Sequence, residues 1–94
     1  MFVCCATQKP IVIKVMQDIY LQAIEFIEQD NWDAAHELVQ HEPGMFGSLL
    51  HGYLHRIEGD MSNASYWYRR AKQPMLANSL DEELARIKQL LAQR

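Results

Sequence analysis

The chain carries only two cysteines, Cys4 and Cys5, and they are neighbours. Adjacent cysteines rarely bridge each other because the geometry is strained, and no third thiol offers a partner. A fold stapled by internal disulfides is therefore excluded; the pair either links two chains or stays as free thiols in a reducing compartment, the second being the expectation. Long apolar runs are missing as well, and no stretch approaches the roughly 20 residues a spanning helix needs. The opening Met1-Phe2-Val3-Cys4-Cys5-Ala6 has no basic residue ahead of its apolar run, so no secretory signal is expected. A cytoplasmic address without membrane attachment follows. Positive charge is also scarce: nine Lys and Arg stand against twelve Asp and Glu, for a net charge of -3. That balance argues against a nucleic-acid partner, which selects a basic face; Arg69, Arg70 and Lys72 form the densest basic cluster. Neither a glycine-rich phosphate loop nor a nucleophile paired with a base is visible, so no cofactor and no catalytic residue is expected.

What remains is the composition of an ordinary globular domain. With 94 residues, 49% hydrophobic and 22% charged, the chain suits one folded unit and not a disordered one. We expect a single helical domain over 1–94, with residues 1–10 as a loose N-terminal segment. Polar breaks and turn residues then divide the rest: Asp30-Asn31, Pro43-Gly44, Gly59-Asp60 and Pro74. Ile11-Val12-Ile13-Lys14-Val15 is β-branched, yet no partner strand is evident, and a lone strand cannot satisfy its backbone. One long helix from about Ile11 to Gln29 is expected instead, apolar on several sides and hence central or covered by another chain. Asp30 or Asn31 caps a second helix bearing Trp32, Ala35, Leu38 and Val39. A third runs from about Met45 to Glu58 with Phe46, Leu50, Tyr53 and Ile57 as its stripe. Gly59 ends it, and Asp60 caps a fourth whose inner face is Met61, Ala64, Trp67 or Tyr68, and Ala71. Ser79 and Glu82 make a capping box ahead of a fifth helix with Leu80, Leu84, Ile87 and Leu91 on one side. The fold class is all-α with about five helices.

Shifting the chain by 29 residues lays the first helical pair on the second: Ala23 on Gly52, Asp30 on Gly59, Trp32 on Met61, Ala35 on Ala64, Leu38 on Trp67 and Val39 on Tyr68. In the second copy, Gly52, Gly59, Ala64, Tyr68 and Ala71 resemble the small-and-aromatic spacing of the tetratricopeptide repeat. The small residues have a physical reason, since Gly52 and Ala64 let two antiparallel helices approach closely. The copy departs from that pattern in length, in having His51 and His55 where Leu and Tyr are preferred, and in an early Pro74. The resemblance implies two antiparallel hairpins with the last helix as a cap, and a protein–protein interaction module, self-associating or taking a protein partner. The segments Ala35-His36-Glu37-Leu38-Val39-Gln40 and His51-Gly52-Tyr53-Leu54-His55-Arg56-Ile57-Glu58-Gly59-Asp60, continuing to Ala71, also resemble a family of short, uncharacterised bacterial proteins. That likeness covers about residues 30–74 and implies one compact domain without a mechanism.

His51 and His55 stand four apart, so both rings leave one face of the third helix, and Glu58 extends that line by a turn. A His-x-x-x-His pair can hold a divalent metal with a carboxylate completing the set, although the glutamate of a metalloprotease helix is missing between them. On the fourth helix Asn63, Tyr66 and Arg70 form a matching polar line. If the two lines face each other, His51, His55, Glu58, Asn63, Tyr66 and Arg70 make one site for a partner or an anionic ligand, with Arg70 as the forked donor. The alternative is a hydrogen-bonded hairpin network that binds nothing. Tyr66, Trp67 and Tyr68 cannot all face the core, and burial under a neighbouring helix is expected to absorb the surplus ring. His36 and His41 are read as surface residues.

Overall fold

A computed structural model describes residues 18–94, and within them the chain is all-α with five helices. They are α1 (Ile19–Glu28), α2 (Trp32–Val39), α3 (Met45–Glu58), α4 (Met61–Arg70) and α5 (Leu80–Ala92). Among the described residues, no helix is long and apolar enough to cross a membrane. Cys4, Cys5 and the β-branched stretch at 11–15 lie outside the described residues. The expected long first helix is corrected at Asp18, which is not helical: its carboxylate accepts the Leu21 N–H at 3.2 Å and caps a helix that begins at Ile19.

The two turns at matching repeat positions have the same construction. Asp30 (φ 59°) and Gly59 (φ 82°) are both left-handed. Each is followed by a bond that reaches back five residues, from Asn31 N to Phe26 O (2.8 Å) and from Asp60 N to His55 O (3.0 Å). These are Schellman ends, which satisfy carbonyls that the finishing helix leaves open. Asn31 then caps α2 by accepting the Ala34 N–H, whereas the Asp60 side chain makes no capping bond to α4. Ala35 and Ala64 have no exposed surface, and Val39 and Tyr68 are equally buried, so at these two pairs of positions the 29-residue offset repeats burial as well as spacing. A Cβ on Gly52 would sit 2.7 Å from Tyr68 Cδ1 and 3.2 Å from Ala64 O; glycine is there because α4 leaves no room for a side chain.

Among the described residues the central helix is α3. It packs on α1, α2, α4 and α5, and every residue from Gly47 to Arg56 is buried. That is the behaviour of a helix covered on all sides, while α1 leaves Leu21 half exposed. Three further expectations are corrected for the same reason, that neighbours and not spacing decide burial. Met61 lies outside the core, Ile57 stands at the edge of α3 with 39% exposure, and the surplus ring, Tyr66, points outward. The capping box at α5 forms as the sequence predicts, with Glu82 N donating to Ser79 Oγ (3.0 Å) and Ser79 N to Glu82 Oε1 (2.9 Å). Tyr53 Oη donates to Leu80 O at 2.9 Å and ties the start of α5 to α3.

Candidate functional site

Three imidazoles meet where the first hairpin lies against the second. His51 and His55 point from α3 as their spacing requires, with ring centroids 5.0 Å apart. The third is His36 from α2, which the sequence reading placed at the surface. It is half-buried, and its Nε2 lies 3.1 Å from His51 Nε2. One ring nitrogen from each of the three falls within a sphere in which no two are more than 4.8 Å apart.

Each ring is held by its surroundings. His36 is stacked on Trp32 at 4.7 Å and 10°, and Trp32 is itself fixed by its indole N–H donating to Leu54 O at 2.8 Å. His51 is stacked on Trp67 at 3.9 Å and 13°. The His55 ring bonds through Nδ1 to Glu58 Oε1 at 2.9 Å; a neutral ring held this way would carry its proton on Nδ1 and its lone pair on Nε2. Burial pushes the His51 pKa down to about 4, and the neighbouring His36 and His55 rings push in the same direction. A ring with that pKa is neutral at pH 7 and able to offer a nitrogen lone pair.

The arrangement permits two kinds of chemistry. Two neutral imidazoles with Nε2 atoms 3.1 Å apart can share one hydrogen bond, provided one carries its proton there and the other does not. Two histidine nitrogens bound to one tetrahedral zinc, each about 2.05 Å from the ion, stand about 3.3 Å apart, so the same spacing suits a shared metal. The Glu58–His55 contact is the carboxylate–imidazole pair that orients a metal-ligating histidine.

Of the residues that the sequence assigned to one site, the structure brings His51, His55 and Glu58 together. The other three bond to other partners. Asn63 donates to Asp60 Oδ2 at 3.3 Å, and Arg70 donates to Tyr66 Oη at 3.2 Å. The Arg70 guanidinium lies 5.3 Å from the centre of the Trp67 ring, the ring on which His51 stacks. His36 and the two tryptophans were the members missed. The signal for them was available only in part: His36 lies four residues after Trp32, which predicts their stacking, but nothing in the local pattern predicts that α2 turns this edge toward His51.

Compared with known proteins, the chain matches no family model, no curated protein and no solved structure.

Proposed function

We propose that this chain is a transition-metal-binding helical domain that holds one divalent ion of the zinc class through His36, His51 and His55. The observation that carries the reading is the convergence of three imidazole nitrogens from two helices, two of them 3.1 Å apart. An all-imidazole set suits zinc, copper or nickel better than magnesium or calcium, which take oxygen ligands. Three protein ligands leave a fourth position for water or a small anion. The low pKa of His51 keeps protons from competing for that nitrogen until the solution approaches pH 4.

Titration of untagged, chelator-treated protein with zinc tests the proposal. One equivalent is expected to bind, to perturb the emission of Trp32 and Trp67, and to raise the melting temperature. At a free zinc concentration of a hundred times Kd the gain is about 2.7 kcal/mol, a shift on the order of 10 °C for a domain of this size. His36→Ala and the double change His51→Ala, His55→Ala are each expected to abolish the response, while His41→Ala, at an exposed position, leaves it intact. Protein that melts at the same temperature with and without zinc, copper or nickel would end the metal reading.

A further inference from the structure

On the opposite side of α3, α1 and α5 flank a groove. They run antiparallel, because Arg94 near the end of α5 donates to Asp18 at the start of α1 (2.6 Å), and Lys88 pairs with Glu28 at the end of α1. The backbones stay apart, with no Cα of one within 8 Å of a Cα of the other. The space between them is an open cleft of ≈ 400 Å³ with Ile27, Tyr53, Ile57, Leu80 and Leu84 along it. A second hollow of ≈ 100 Å³, walled by Trp32 and Leu54, adjoins it at Ile27, Asp30 and Ile57. Ile57 and Leu80 are each 39% exposed, an apolar surface only partly covered by the described residues.

The polar wall has one sign. Glu28, Asp30 and Asp81 line the cleft and no Lys or Arg does. Neither Asp30 nor Asp81 has an ion-pair partner among the described residues. Both α1 and α3 finish at this end of the molecule, and their C-terminal carbonyls add negative potential. The opposing N-terminus of α5 is already matched by Ser79, Asp81, Glu82 and Glu83. Helical walls also restrict what can enter: their backbone groups are bonded internally, so there is no strand edge to extend, and an incoming chain has to satisfy its own backbone.

We propose that this groove receives an amphipathic helix of a partner protein, with an apolar face seated on Ile57 and Leu80 and with lysine or arginine on its flanks opposite Asp30 and Asp81. A helix supplies its own hydrogen bonds, its apolar face covers the exposed floor, and its cations meet the unpaired carboxylates. This is the interaction role that the hairpin repeat suggests, placed on a definite surface and independent of the histidine cluster.

The test is fluorescence anisotropy of a labelled synthetic helix of about 14 residues, roughly 21 Å long, with leucines at i, i+3, i+4 and i+7 and lysines beside them, titrated with the full chain. One-to-one binding that weakens with salt is expected. The double change Asp30→Lys, Asp81→Lys and the single change Ile57→Arg, each checked for retained helicity, are expected to weaken it at least tenfold. A peptide with glutamate in place of lysine is expected not to bind, and His41→Ala, at an exposed position away from the groove, is expected to have no effect. The proposal is overturned by any of four results: no binding at about 1 mM peptide; an affinity indifferent to the groove substitutions; binding that appears only after Lys9→Glu and Lys14→Glu, which gives the groove to this chain's own segment; or self-association lost in Ile57→Arg, which gives it to a second copy.

Discussion

Glu83 has no exposed surface, yet it carries a charge. Burial alone would push its carboxyl pKa up, but hydrogen bonds from Arg86, Asn78 and Tyr68, with the Arg86 charge, outweigh that and hold it below the ordinary value. Tyr68 Oη donates at 2.7 Å, Asn78 Nδ2 at 2.8 Å, and Arg86 grips both oxygens at 3.0 and 2.9 Å. The network ties α4, the loop before α5 and α5 itself to one point, and the Arg56 guanidinium adds a bond to Asn78 O at 2.7 Å. Removing the carboxylate leaves these donors buried without their acceptor. Glu83→Ala is therefore expected to cost roughly 3 kcal/mol, read as a lower urea midpoint; an unchanged midpoint contradicts the account. Acid acts on two residues in separate windows. Above pH 6.5 His51 is neutral both folded and unfolded; between 6.5 and about 4 the unfolded chain binds a proton that the folded one does not, so stability falls as pH falls. Glu83 adds its loss below 4.5, where its folded carboxylate resists protonation longer than the unfolded one. Urea midpoints measured across that range should show the upper slope flattened in His51→Gln and the lower one in Glu83→Gln. Superimposable profiles for wild type and His51→Gln would refute the first assignment.

At the scale of the helix, the chain announces its own boundaries. Gly59, the Asp30-Asn31 step, Pro43-Gly44 and the Ser79/Glu82 pair act through local geometry, and each lies where it ends or starts a helix in the structure. Local signals suffice there because capping involves residues within one turn of each other. The contact between Gly52 and Tyr68 was legible for another reason, since a small residue in the middle of a helix is costly unless something approaches it. Gly52→Val is expected to destabilise by about 1–3 kcal/mol by forcing α4 away, measurable as a fall in melting temperature; a neutral result would mean that the ring shifts freely. Burial was less legible. Met61 and Ile57 sit at apolar positions of sound helical stripes and yet remain outside, because periodicity names a face without saying whether a neighbour covers it. The central helix was no more legible: the wide apolar surface of the first helix left it central or covered by another chain, whereas packing on four neighbours belongs to α3.

For the molecule as a whole, what could not be read beforehand is how the two hairpins lean on one another. The spacing of His51 and His55 on one helix predicts a pair; the third imidazole comes from α2, fifteen residues earlier than His51, and only tertiary packing delivers it. Arg70 and Asn63 bond within their own helix and its cap, Arg70 to Tyr66 and Asn63 to Asp60, partners that lie on their own side of the two lines expected to face each other.

The left-handed turn at Asp30 bears on how this protein can change over time. Its counterpart, Gly59, adopts a φ of 82° without steric cost, whereas Asp30 holds 59° with a side chain attached. A single change to glycine there would relax the backbone of the first hairpin while deleting one of the carboxylates that face the groove. If the groove takes the partner helix proposed above, substitution at this position trades robustness against recognition, and a lineage without that partner would be free to accept it.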